Sequence, residues 1–291
     1  MEAQRHDRRH TGPRVEAGPR VPRRRRGLGV GSEVHLITLD LNADVGEAAG
    51  PAGRAIDRRL IAVLSSVNIA CGGHAGDAAT MRDTVQVALE HGLAIGAHPG
   101  YQDHEGFGRR ETGVAAADVA ALVRDQTGAL MQVAASLGGL VGHVKLHGAL
   151  YHRAHRDRSV AEAAAGAVAT LDPALIVVGM DGSALMQACR EQGLAFAREA
   201  FADRAYARDC QLVPRAQPGS VLTAEAAARQ VVRMVHHGVV ESIDGVVVPI
   251  DFDTVCVHSD TPDAVELAQS IRLALAEAGV TVGSMNPVSL R

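Results

Sequence analysis

From His35 onward the sequence alternates between short apolar, β-branched runs and longer Ala-rich stretches. The short runs are HLITLDLNAD (35–44), SVNIACGGH (66–74), LAIGAHPG (93–100), GLVGHVKLHG (139–148), ALIVVGMDG (174–182), LAFAREAFADR (194–204) and DGVVVPIDFDTVCVHSD (244–260). Their length and residue types predict strands. Between them DAATMRDTVQVALEHG (77–92), AAADVAALVRDQTGALMQVAASLG (115–138), TAEAAARQVVRMVHHG (223–238) and TPDAVELAQSIRLALAEAG (261–279) predict helices. Several open on Asp or Thr and close on Gly, as helix caps require. In the last of them Ala264, Leu267, Ile271 and Leu275 recur at three- and four-residue steps and form one apolar face.

Strands alternating with helices imply parallel pairing through right-handed crossovers. Seven or so units in this length fit a β/α barrel, with a doubly wound open sheet as the other solution. The loop after the first strand reads NADVGEAAG and lacks G-x-G-x-x-G. A Walker A loop needs Gly-Lys-Ser/Thr, and the only lysine, Lys145, is followed by Leu146.

Polar groups gather at the predicted strand ends. They are Asp40, Asn42, Asp44 and Glu47; Asn68, Cys71, His74 and Asp77; His98; His143, Lys145 and His147; Glu199, Asp203 and Arg204; and Asp251, Asp253, His258 and Asp260. In a barrel these ends converge on one mouth, where catalysis takes place. A single histidine at a strand end has about even odds of being a loop cap or a buried hydrogen-bonding group. Five of them over four strand ends point to a site. Strand alternation puts Asp40 with Asn42, and His143 with Lys145 and His147, on common faces. Gly72, Gly73 and Gly76 around His74 fit a tight turn and also an anion cradle. Five of the seven aromatic residues, Tyr101, Phe107, Tyr151, Phe201 and Tyr206, fall in or beside these loops. They suit the wall of a small ring-shaped ligand or the packing of the loops.

Composition narrows the classes. Residues 1–34 carry nine arginines against four acids and no hydrophobic periodicity, which predicts a disordered basic extension. Residues 35–291 are expected to form a single β/α barrel catalytic domain. That part has a net charge of −9, unsuited to nucleic acid. No apolar run predicts a membrane span, and no secretory leader pattern is present. The four cysteines show no C-x-x-C spacing, and the expected location is cytoplasmic. Three chemistries fit the polar constellation: a metal hydrolase using Asp44, His74 and His98 or His143 and His147, a metal-free amide hydrolase with Lys145 at an oxyanion or phosphate, and a binding protein without turnover. Ser65, Ser66 and Ser183 lack a G-x-S-x-G context.

Taken in order, LDLNADVGE, NIACGGHAGD, IGAHPGYQD with FGRR, HVKLHGALY, FADRAYARD with LVPR, and TVCVHSD resemble the LamB/YcsF family of 5-oxoprolinase A subunits over about Leu39 to Gly279. The resemblance implies a seven-stranded, TIM-like β/α barrel of the glycoside hydrolase/deacetylase type. It implies ATP-dependent opening of 5-oxo-L-proline (pyroglutamate) to L-glutamate together with separate subunits B and C, ATP being a co-substrate handled with those partners. Carried over by position, Asp44, His74, Lys145 and His147 are the expected catalytic residues. Asp44 or His74 is the base, and Lys145 and His147 stabilise an oxyanion or phosphate. Asp40, Asn42, His98, His143, Asp203, Arg204, Arg215 and His258 are the expected substrate-binding residues. Whether a divalent metal takes part is left open. The alternatives are a stand-alone metal-dependent amidohydrolase or deacetylase, and a lactam-binding protein without turnover. Leu146 stands where the family has proline, and Cys210 where it has glycine. If position 210 needs a positive φ, its loop is expected to shift.

Overall fold

A computed structural model describes residues 37–48, 50–261 and 263–285; the Arg-rich segment 1–34 lies outside them. Ten strands follow in chain order: β1 (Ile37–Val45), β2 (Ser66–Ala70), β3 (Ala94–His98), β4 (Val141–Lys145), β5 (Ile176–Gly179), β6 (Ala195–Phe201), β7 (Val239–Glu241), β8 (Val247–Pro249), β9 (Thr254–Val257) and β10 (Val280–Val282). The first six and β9 pair in parallel, in that order, and β9 returns to pair with β1. That last pairing closes a seven-stranded barrel and excludes the open sheet. The fold is a TIM-like, seven-stranded β/α barrel. β10 adds in parallel to the first half of β1, Ile37 opposite Val280.

The run 244–260 is not one strand. Its first half forms β8, antiparallel to β7 in a two-stranded hairpin, and only Thr254–Val257 joins the barrel. Pro249 has no N–H to give a continuing ladder. Asp253 then anchors the chain on β6, its carboxylate taking the Arg198 amide at 2.9 Å and the Arg198 guanidinium at 2.7 and 2.8 Å.

Among the described residues eight helices cover the outside: α1 (Gly50–Ile61), α2 (Ala78–Glu90), α3 (Ala116–Ser136), α4 (Gly148–Arg156), α5 (Arg158–Leu171), α6 (Ala184–Glu191), α7 (Ala224–His237) and α8 (Ala264–Glu277). Local chemistry sets their ends. Asp77 accepts the Thr80 amide at 2.7 Å to start α2, and Gly238, at φ 65, ends α7 in the left-handed conformation. The expected face of α8 is the buried one. No helix among the described residues is long and apolar enough to cross a membrane.

Strand alternation separates two kinds of interior. Leu39, Leu41, Ala43 and Val45 of β1 belong to the apolar layer between barrel and helices, with Val67, Ile69, Val144 and Val255. Burying each of the larger side chains there contributes roughly 1.5–3 kcal/mol. The alternate residues face the barrel axis. On β5 and the first half of β6 these are apolar, Ile176, Val178, Ala195 and Ala197, and form a separate small cluster, before Glu199 follows in the same phase. On β1, β2, β4 and β9 they are Asp40, Asn42, Asn68, His143, Lys145 and Thr254, all buried. The barrel axis is therefore polar on one side along its whole depth.

Candidate active site

At the lowest level the Asp40 carboxylate accepts hydrogen bonds from Ser65 Oγ at 2.8 Å, Ser66 Oγ at 2.9 Å and Thr254 Oγ1 at 2.5 Å. Burial pushes its pKa up, against the pull of those hydroxyls. One step higher, Asn42 Nδ2 donates to Thr254 Oγ1 at 2.7 Å and Asn68 Nδ2 donates to Asn42 Oδ1 at 2.8 Å. His143 Nε2 donates to Asn68 Oδ1 at 2.9 Å. Burial, reinforced by Lys145 and His98, pushes His143 down to about 3, so it is neutral. Asp40, Asn42 and His143 thus lie beneath the mouth, bonded to one another's neighbours, and do not line the cavity above them. Gly96 makes room for this layer: a Cβ there would fall on the His143 imidazole.

Lys145 occupies the next level. Its ammonium lies 3.0 Å from Asp44 Oδ1, 2.7 Å from Glu199 Oε1 and 3.1 Å from Cys256 Sγ. Nζ donates to Asp44 and Cys256 and forms an ion pair with Glu199. Tyr151 OH donates to the other Glu199 oxygen at 2.8 Å. Burial opposes the charge on Lys145, but the carboxylates of Asp44 and Glu199 outweigh it and hold the pKa well above its usual value. Asp44 is likewise held well below the carboxylate range: burial opposes ionisation, and His98 and Lys145 reverse that. Burial keeps the Cys256 thiol protonated.

The rim carries Glu47 and three imidazoles. Gly46, at φ 74, turns the chain after β1 and gives its N–H to Asp57 at 2.9 Å, which fixes Glu47 over the barrel. His98 Nδ1 donates to the Lys145 carbonyl at 2.8 Å. His147 Nε2 donates to the Phe107 carbonyl at 2.8 Å. His74 Nε2 is 2.8 Å from Glu47 Oε1, and its ring stacks on that of His147 with centroids 3.5 Å apart. Burial pushes His74 down to about 4 despite Glu47 beside it. Glu47 sits at about 2, burial being outweighed by its bonds to His147 and His74. His147 does not continue β4. It is the N-cap residue of α4, with its amide bonded to Pro99 O at 2.9 Å. His74 lies behind His147 and does not reach the cavity wall. The glycines around it make a turn in which the Gly72 amide is bonded to Ala75 O at 2.9 Å.

Above these groups opens a cavity of about 300 Å³, a size suited to a small molecule. Asp44, Glu47, His98, Lys145 and His147 line its floor; Arg109, Arg204, Arg215, His258 and Asp260 line the opposite side. Arg204 is buried and donates to the carbonyls of Val213 at 2.5 Å and Ser220 at 3.3 Å. Arg215 makes a two-pronged pair with Asp260 at 3.0 and 3.1 Å, and Arg109 meets the same carboxylate at 2.5 Å. Asp203 lies under this wall, taking His258 Nδ1 at 2.8 Å and Thr261 Oγ1 at 2.7 Å. His258 stacks on Phe201, centroids 5.2 Å apart. Tyr206 OH accepts the Phe201 amide at 2.7 Å, and Tyr101 takes a hydrogen bond from Arg153 at 3.3 Å, so these two rings serve packing. The loop at Cys210 has not shifted to avoid the missing glycine: Cys210 itself adopts φ 65.

Sequence reasoning did not place Glu47, Arg109, Tyr151, Glu199 and Cys256 among the catalytic or binding residues, yet all of them reach this site or its support. The signal for Glu199 was present, since it alternates in phase with Phe201 along β6. Glu47 lies beyond the strand, where alternation says nothing. The Glu47, His74, His98 and His147 donor atoms lie within 4.8 Å of one another, a grouping able to hold a metal ion.

Known proteins share this arrangement of segments. The sequence is 49% identical over 248 residues to the 5-oxoprolinase A subunit of Rhodopseudomonas palustris, covering 84% of this chain and 98% of that one. It is 45% identical over 249 residues to the protein of the same name from Methylococcus capsulatus, covering 85% of this chain and 96% of the relative. The crystal structure of the lactam utilization protein from Thermus thermophilus superposes with a TM-score of 0.80 at 44% identity, over 86% of this chain and 100% of the other. The profile of the LamB/YcsF family matches residues 39–290, a span that contains every residue of the floor and wall just described, and the chain belongs to that family.

Proposed function

We propose that this chain is the A subunit of an ATP-dependent 5-oxoprolinase and completes the opening of 5-oxo-L-proline to L-glutamate with subunits B and C. The observation that carries the reading is the lining of the cavity, which brings Arg109, Arg204 and Arg215 together with Asp44, Glu47, His98 and His147. A small lactam acid offers a carboxylate to such cations and a ring amide to such acid–base groups. The relatives, named for 5-oxoprolinase and for lactam utilization, support the same substrate class.

The net reaction converts 5-oxoproline, ATP and two waters into glutamate, ADP and phosphate. Phosphorylating the lactam oxygen makes it a leaving group. Water then adds to the ring carbon and gives up a proton, the C–N bond breaks with a proton going to nitrogen to leave a γ-glutamyl phosphate, and a second water hydrolyses that to glutamate and phosphate. No Walker A motif occurs in the sequence, and we assign the phosphorylation step to the chain acting with its partners. Arg109, Arg204 and Arg215 clamp the substrate carboxylate or phosphate. Asp44 is the base for water: it stays ionised through the neutral range and lines the cavity. The ring oxygen faces His98 and His147. Lys145 is a positioning residue, since its donors are committed to Asp44, Glu199 and Cys256.

The test is reconstitution. The chain mixed with purified subunits B and C is expected to release glutamate and ADP in equal amounts, and no two of the three proteins should do so without the third. Glutamate release by B and C without this chain would defeat the proposal. Binding of 5-oxoproline by a chain whose addition leaves turnover unchanged would make it a lactam-binding protein instead.

A further inference from the structure

We propose that the chain holds one divalent transition-metal ion between Glu47, His74, His98 and His147. The geometry of the four donors comes first. Glu47 Oε1 lies 2.8 Å from His74 Nε2, 3.2 Å from His147 Nδ1 and 3.7 Å from His98 Nε2. His147 Nδ1 and His98 Nε2 are 3.0 Å apart. A tetrahedral ion with bonds of about 2.05 Å separates its ligands by about 3.3 Å, and these separations scatter around that value.

Proton placement is the second, independent argument. His98 and His147 each give one ring N–H to a backbone carbonyl, Lys145 O and Phe107 O, at 2.8 Å. Their remaining nitrogens, Nε2 and Nδ1, then face each other 3.0 Å apart beside the Glu47 carboxylate, an approach that requires a proton or a cation between them. Ligating histidines are oriented in this way, with the outer N–H fixed on a carbonyl.

Charge points the same way. Asp44, Glu47 and Glu199 crowd the floor against the single ammonium of Lys145, and Asp44 Oδ2 stands 3.3 Å from His98 Nε2. The set has three nitrogens, one carboxylate and no thiolate. That selects a borderline ion such as Zn²⁺ or Mn²⁺ over Mg²⁺ or Ca²⁺, which want oxygen. Because Glu47, His98 and His147 also line the cavity, an ion held there would supply a Lewis acid on the side assigned to the ring oxygen. The inference concerns the same mouth as the proposed function and does not depend on the substrate's identity.

The test reads metal on the full chain by itself, without lactam, ATP or other subunits, so it fails separately from the 5-oxoprolinase reading. Chain stripped with a chelator is titrated with Zn²⁺ and, separately, Mn²⁺, and bound metal and melting temperature are measured. One ion per chain and a raised melting temperature are expected with at least one of them. Glu47→Gln and His98→Asn should each weaken binding by more than the roughly 10–100-fold seen on losing an outer partner. The surface change His236→Asn should not. Metal-free melting curves identify a variant that has failed to fold, and His147→Gln then replaces it. Unchanged stoichiometry in the folded variants, or no binding of either ion, overturns the proposal.

Discussion

Lys145 on β4 and Glu199 on β6, the two strands that flank β5, meet inside the barrel, with 2.7 Å between Nζ and Oε1 and the Glu199 side chain fully enclosed. This pair bridges over β5 and sets where Asp44 stands. Removing one member of a buried pair strands the other charge, at a cost of about 3–5 kcal/mol. Glu199→Ala is therefore expected to lower the denaturation midpoint strongly, read by chemical unfolding. A loss of under about 1 kcal/mol would show that the pair is screened like a surface bridge.

Lys145→Arg keeps the charge and changes its reach and geometry. The guanidinium cannot meet Asp44, Glu199 and Cys256 from one nitrogen. The expected result is a folded chain whose glutamate release in the reconstituted system falls at least tenfold, mostly in kcat. Near-normal turnover would show that the position of Asp44 is not set by Lys145.

Gly96→Ala tests the layer beneath the site. The added methyl would fall on the His143 ring and push it off Asn68. Overpacking of this kind costs about 1–3 kcal/mol. A variant as stable as the parent, measured by thermal melting, would mean that His143 has room to move.

Arg215 is a wall arginine whose charge can be removed without breaking the barrel, being partly exposed and paired with Asp260. Arg215→Met is expected to raise KM for 5-oxoproline roughly tenfold with little change in kcat, the signature of lost uniform binding. A fall in kcat alone would move Arg215 from a clamp to a group acting in the chemical step.

Asp203 gives a pH-dependent test. Burial raises its pKa, but His258 and Thr261 outweigh this and lower it below its usual value. A depressed folded pKa contributes stability above the unfolded value near ~3.9, and that contribution disappears as pH falls through the folded pKa. Asp203→Asn should therefore be less stable than the parent at pH 7, with the gap closing below about pH 4. A difference that stays constant with pH would assign the loss to packing.

Much of this was legible locally. Strand alternation is a period-two property of a few consecutive residues, and it placed Asp40 with Asn42 on one face and His143 with Lys145 on another. The α8 face was equally plain. Alternation failed where the strand stopped: His147 follows the pattern by number yet sits on a helix start, and the run 244–260 is broken by Pro249 and Asp253.

By itself the sequence determined a parallel β/α order, a polar rim and the segments that feed it, because hydrophobic period and cap chemistry are written in neighbouring residues. Only the tertiary structure decided what Lys145 touches. Its partners stand 101, 54 and 111 residues away in the chain, and they meet only because β9 pairs with β1 and closes the barrel. Closure likewise brought Glu47 over His98 and His147, and the backbone carbonyls of Lys145 and Phe107 chose which imidazole nitrogens face the mouth. Those choices depend on where distant backbone lies, and no local pattern encodes them.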